Sequence, residues 1–236
     1  MSGHLILLVE DDRLTEAVQR RQLEQAGFVV FSVPRGSDAL VWAAALPVAA
    51  VLLDISLPDM DGAVVALHLS RLEPPVPVIA MTALCEDSDA KRAACDGIRL
   101  AGFWQKPLDE EKIDFLRTAG AIDSGSLYGV RDPVIAADIR QMLGGREDSL
   151  RQSLMAQMKD FTILLVDRNG PELAFAAHAL KSSALAMGYR QFAALLGAIE
   201  STAHAAPAVL ASNRQALLAC LNSFSLRTYD EASLNF

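Results

Sequence analysis

The sequence predicts an α/β domain followed by an all-α domain: a doubly wound, five-stranded parallel sheet over residues 1–118, then an antiparallel helical bundle over residues 132–236. Three observations predict it. Short apolar runs without polar alternation recur through the first half, separated by stretches of helical period, which is how strands buried on both faces of a parallel sheet read. The second half keeps a helical period nearly throughout and holds no comparable set of strands. Between the halves, residues 119–131 mix Gly120, Gly125 and Gly129 with Ser and Asp, the composition of a linker.

The strands are read at Leu5–Val9, Val29–Val33, Val48–Leu53, Val76–Met81 and Gly102–Gln105, the last being the shortest. Helical patterns over Leu14–Ala26, Ser37–Ala44, Gly62–Leu72 and Ser88–Leu100 lie between them, with Gly27 as a helix end and Asp87/Ser88 as a helix start. In the second half, Asp132-Pro133 opens a helix as an N-cap followed by Pro, and Gly144-Gly145 closes it. Glu147–Asp167 is long and periodic. Its run Phe161–Val166 resembles a strand by composition but continues the apolar face of Leu150, Leu154 and Met158. Asn169-Gly170-Pro171 breaks the chain before a helix to Met187, ended by Gly188. Tyr189–Ala203 and Pro207–Phe224 supply two more.

Bulk properties exclude several classes. With 236 residues, 52% hydrophobic and a mean hydropathy of +0.25, the chain buries a core and is not broadly disordered. No uncharged apolar run reaches membrane-spanning length, so no membrane insertion is expected. Leu5–Val9 is too short for a secretion signal. Cys85, Cys95 and Cys220 have no metal-ligand spacing and read as free thiols of a cytoplasmic protein. The net charge of -8 is concentrated in residues 1–120, where 18 acidic residues face 11 basic ones, against 11 and 10 in residues 121–236. An acidic chain without a basic stripe or an Arg/Lys-rich recognition helix is not expected to bind nucleic acid.

Chemistry is expected at the carboxyl ends of the strands, where ligands bind in open parallel sheets. Glu10 and Asp11 follow the first strand and Asp54 ends the third. Grouped carboxylates repel one another unless a divalent cation sits among them, and an all-oxygen site beside a phosphate points to Mg²⁺. A second reading stays open for Asp11, Asp12 and Asp54, each of which can instead cap the helix that follows. Thr82 ends the fourth strand with a hydroxyl, and Lys106 lies just past the fifth, before Pro107. A cis Lys106–Pro107 bond would aim the ammonium at the pocket. Asp54 then serves as nucleophile, with Thr82 and Lys106 binding the transferred phosphoryl group.

The segments HLILLVEDD, LLDISLPDMDG, IAMTA and FWQKP resemble the successive signatures of response-regulator receiver domains, over residues 4 to about 118. The resemblance implies that Asp54 is the phosphoacceptor. It implies that Asp11 and the backbone carbonyl of Ser56 coordinate Mg²⁺, with Glu10 helping directly or through water. It further implies that Thr82 shifts toward the phosphate and that Phe103 follows it inward; as a residue, Phe103 reads equally as a core aromatic.

In the second half, His178 stands mid-helix in LAFAAHALKSSALAMG, with Lys181 one turn on and on nearly the same face. An imidazole is partly neutral at pH 7 and can attack a phosphoryl group, while the lysine can hold phosphate oxygens. Small Ala177 and Ser182 are expected to leave room for a docking partner. A histidine on an Ala-rich helix can also be a packing residue. AAHALKSSALAMG followed by FAALLGAIE resembles the active and following helices of histidine-containing phosphotransfer domains, with Ser182 where that family usually has Gly. The resemblance covers about residues 125 to 225 and implies a phosphorylated His178 with Lys181 as its helper.

No Gly-rich phosphate loop or ATP-binding lobe is visible, so the chain does not read as a complete histidine kinase. The two resemblances together imply a two-component phosphorelay intermediate whose partners are a histidine kinase, another receiver domain, or both. The alternative is a phosphorylation-controlled binding protein whose helical half is an output module without transfer through His178.

Overall fold

The computed structural model describes residues 4–73, 75–83, 88–119, 137, 147–167 and 170–233. The chain divides into two compact units, Met1–Ser124 and Gly125–Phe236. The first unit runs β1 (Leu5–Val9), α1 (Arg13–Gln25), β2 (Val29–Val33), α2 (Gly36–Ala45), β3 (Ala50–Asp54), α3 (Gly62–Leu69), β4 (Val78–Thr82), α4 (Ser88–Ala94), β5 (Gly102–Gln105) and α5 (Glu110–Ala119). The five strands form one parallel sheet in the order β2-β1-β3-β4-β5.

Every residue of β1, β3 and β4 is buried, which accounts for their unalternated LILLV, AVLLD and VIAMT sequences. On one face Ile6, Leu8, Leu52, Ile79 and Met81 pack with Leu23 of α1 and Leu116 of α5. The other face carries α2 and α3, where the ring of Phe31 meets Trp42 at 4.4 Å. A fully buried aliphatic side chain contributes about 1.5–3 kcal/mol, so these central strands dominate the unit's stability. β5 lies at the sheet edge and is only partly buried, consistent with its weaker sequence signal.

Two predicted helices end early. The helix expected to reach Leu72 stops at Leu69, and the one expected to reach Leu100 stops at Ala94, before Gly97 at φ +80. The third and fourth strands each start two residues and end one residue later than predicted, because Val48 and Val76 belong to the approaching loops. The predicted start at Asp87 lies outside the described residues.

The second unit contains α6 (Glu147–Asp167), α7 (Pro171–Ala186), α8 (Arg190–Ala205), α9 (Pro207–Ser212) and α10 (Arg214–Ser233). It is a helical bundle with Leu154, Met158, Phe161, Leu165, Leu173, Leu180, Leu196 and Leu217 in its interior. Phe161–Val166 is helical, as its spacing indicates. Tyr189, Phe192 and Phe224 form an aromatic core, with the two phenylalanines stacked at 4.0 Å. Gly188, at φ +84, turns the chain between α7 and α8, which run antiparallel. The helix predicted over Pro207–Phe224 is broken at Asn213, whose buried amide donates to Val209 O at 2.9 Å. Of the helix predicted from Asp132-Pro133 to Gly144-Gly145, only Ala137, which is helical, is among the described residues; residues 120–131 of the predicted linker lie outside them. Among the described residues, no helix is long and apolar enough to cross a membrane.

Candidate functional site

Strands β1, β3, β4 and β5 are sheet neighbours, and each delivers one polar residue at its carboxyl end: Glu10, Asp54, Thr82 and Lys106. Glu10, Asp54 and Thr82 are buried. Lys106 Nζ donates to Glu10 Oε2 at 2.5 Å and to Asp54 Oδ2 at 2.7 Å, and the Lys106–Pro107 peptide is cis. The backbone N–H of Ser56 donates to Asp54 Oδ1 at 2.8 Å, so both oxygens of Asp54 are held. The Thr82 hydroxyl makes a long bond of 3.3 Å to Ala83 O.

Carboxylate oxygens of buried Glu10, exposed Asp11 and buried Asp54 lie within 4.8 Å of one another, a spacing that one cation can span. Three carboxylates face one ammonium, so the ionised cluster is short of positive charge. The donors are all oxygen, which suits a hard divalent cation. Burial pushes Glu10 up to about 7 despite the opposing Lys106, with Asp54 adding to the rise. Burial pulls the other way at Lys106, but its bonds to Asp54 and Glu10 outweigh burial and raise it.

The structure separates the three acids for which capping was open. Asp12 is the N-cap of α1, accepting from Thr15 N at 2.8 Å. Asp54 faces Lys106 and Ser56, and exposed Asp11 stands in the carboxylate cluster. Phe103 is partly buried, with the Arg92 guanidinium 5.3 Å above its ring.

In the bundle, the His178 imidazole is 61% exposed. Its Nδ1 lies 2.8 Å from Glu200 Oε1, and Lys181 Nζ donates to Glu200 Oε2 at 2.5 Å. Lys181 outweighs burial and, with His178, holds Glu200 below its ordinary value. An ionised carboxylate only accepts, so Nδ1 carries the proton and a neutral ring presents its Nε2 lone pair outward. Sequence reasoning missed Glu200 as a partner; it is the one acidic residue of α8. Ala177 corrects an expectation: it points into the core rather than making room beside the imidazole. Ser182 is exposed, and its hydroxyl donates to His178 O at 3.2 Å.

Comparison with known proteins identifies the first unit. Residues 6–115 match the response regulator receiver domain model. The response regulator receiver protein CpdR of Brucella abortus is 34% identical over 94 residues, covering 38% of this chain and 78% of CpdR. The sensor protein TorS of Escherichia coli is 25% identical over 219 residues, covering 88% of this chain and 23% of TorS. The receiver domain of sensor histidine kinase PA1611 from Pseudomonas aeruginosa, a structure described with magnesium in its active-site cleft, is 29% identical with a TM-score of 0.45, covering 50% of this chain and 98% of that one. The chain spans less than two thirds of the length of several curated relatives it matches, from 6% to 41% in four of them. Through residues 6–115, the chain belongs to the response regulator receiver domain family.

Proposed function

We propose that the chain is a two-component phosphorelay protein that accepts a phosphoryl group on Asp54 and carries one on His178. The observation that carries the relay reading is the exposed imidazole of His178, fixed through Nδ1 by Glu200 and leaving Nε2 to a partner. A packing histidine would be buried, and a purely regulatory helical module has no need of this arrangement. Similarity to a sensor protein over 88% of the chain, across both units, supports the pairing of receiver and bundle.

At the receiver pocket, a carboxylate oxygen of Asp54 attacks the phosphorus of a donor phosphohistidine. The P–N bond breaks, and the departing imidazole keeps its electron pair. Lys106 already contacts Asp54, and its ammonium can follow the transferred oxygens. Thr82, with its weakly engaged hydroxyl, can turn to donate to them. The oxygen donors of Glu10, Asp11, Asp54 and the Ser56 carbonyl suit Mg²⁺, which supplies positive charge to the phosphoryl oxygens when bound. In the bundle, His178 Nε2 attacks the phosphorus of an aspartyl phosphate on a receiver. The P–O bond breaks, the carboxylate leaves, and Glu200 holds the Nδ1 proton. Lys181 then has a phosphate to bind. The partners are a histidine kinase, another receiver, or both. We place the chain in the cytoplasm, in keeping with buried free thiols at Cys95 and Cys220.

The test incubates the full chain, Asp54→Asn and His178→Ala with a phosphorylated kinase and, separately, a phosphorylated receiver. Acid-stable, base-labile phosphate should vanish in Asp54→Asn, and acid-labile, base-stable phosphate in His178→Ala. If folded wild type forms no phosphohistidine with several active phosphorylated receivers, the relay reading gives way to the regulatory one.

A further inference from the structure

We propose that Asp59 is a positioning residue of the acidic pocket, clasping the loop after β3 onto the first turn of α2 and so holding the Ser56 backbone against Asp54. The inference rests on the reading of that pocket as a Mg²⁺ and phosphoryl site.

Helix α2 has no side-chain cap of its own, because Arg35 stands at its N-cap position without such a bond. Its first two N–H groups donate instead to a residue more than twenty positions later: Gly36 N to Asp59 Oδ1 and Ser37 N to Asp59 Oδ2, both at 2.9 Å. One carboxylate therefore binds both donors with its two oxygens. Burial raises Asp59, but the bonds from Ser37 and Gly36 outweigh it and hold the carboxyl below its ordinary value. The adjacent Met60 closes on the same turn. A Cβ at Gly36 would lie 2.8 Å from Met60 Cγ and 2.5 Å from Val65 Cγ2, so the loop seats there only because residue 36 has no side chain.

The foot of the loop is fixed separately. Ser56 and Asp61 form an isolated antiparallel bridge, Gly62 N donates to Ile55 O at 3.3 Å, and Asp61 caps α3 through Ala63 N at 2.9 Å. Ile55 Cα would lie 2.5 Å from a Cβ on Gly62. Ser56 belongs to this foot, and from it the chain runs out to the tip at Asp59; the Ser56 N–H holds Asp54 Oδ1, and its carbonyl is a proposed metal ligand. Releasing the tip removes one restraint on this backbone. A metal ligand oriented by an outer partner loses affinity when that partner is removed.

The experiment follows backbone amides by NMR in the metal-free full chain, then titrates Mg²⁺. The variants are Asp59→Ala, Asp59→Asn, which keeps one acceptor oxygen, and Leu23→Ala, which weakens the unit's core away from the loop. In Asp59→Ala, Ser56 amide exchange should quicken before any metal is added, and the Mg²⁺ dissociation constant should rise about 10-fold. Asp59→Asn should move both in the same direction by less, and decides the matter if Asp59→Ala does not fold. Leu23→Ala should lower the thermal midpoint without changing either reading. Shifts confined to Gly36 and Ser37, with Ser56 exchange and Mg²⁺ affinity at wild-type values, would reduce Asp59 to a helix cap and overturn the proposal. If wild type itself shows no Mg²⁺ response, the metal reading fails, while the metal-free Ser56 comparison still decides the clasp.

Discussion

At Glu10, burial and a neighbouring ammonium pull in opposite directions, and burial prevails: the carboxyl rises from 4.5 to about 7. A carboxyl raised in the fold binds its proton more tightly there than in the unfolded chain. The stability it contributes is full below 4.5 and is lost as pH rises through about 7. Metal-free wild type should therefore lose thermal stability relative to Glu10→Gln across that window; parallel melting profiles would refute the electrostatic account. Glu10, Asp54, Thr82 and Lys106 were legible in the sequence because the carboxyl ends of parallel strands converge by topology alone. Residue chemistry alone did not separate Asp11 from Asp12, since adjacent acids after a strand can both cap; the family resemblance singled out Asp11, and the fold bonds Asp12 to Thr15 N. Glu200 escaped for a related reason. Its pairing with His178 depends on the register between two helices, which their separate periodicities do not specify.

Helix α1 shows how an element can keep its pattern and still carry a defect. Gln19 occupies a buried position one turn before Leu23, and neither its amide nitrogen nor its oxygen has a hydrogen-bond partner. A buried polar group without a partner costs about 1–3 kcal/mol. Gln19→Leu is nearly equal in volume and should raise stability by that order, measured as a higher denaturant midpoint at unchanged slope; a lower midpoint would mean that the amide is satisfied. Element types were readable because short unalternated apolar runs differ from a sustained helical period, and Phe161–Val166 shows the distinction by continuing a helical face. Ends were less so. Asn213 interrupts an apolar stripe that continues on both sides of it, and its side-chain bond to Val209 O is invisible to periodicity.

At the scale of the whole molecule, each unit buries its own core, and the proposed cation site belongs to the first alone. A ligand stabilises the fold that binds it. Mg²⁺ should raise the melting transition of the unit spanning Met1–Ser124 and leave that of the bundle in place, as read by calorimetry of wild type and Asp54→Asn. Equal shifts in both transitions would count against separate folding. The two-unit plan was legible from the change in period along the chain, and the bundle's described helices follow its apolar spacing. The ion pairs of the pocket bridge long stretches of sequence: Lys106 reaches Asp54 across 52 positions and Glu10 across 96. A ribosome-bound chain that has not yet released β5, or one clipped ahead of it, has its acids but no ammonium to receive a phosphoryl group beside them. Under the proposed chemistry, the pocket thus registers that the sheet has closed on its last strand, and a fragment ending before Lys106 cannot carry the phosphoryl group.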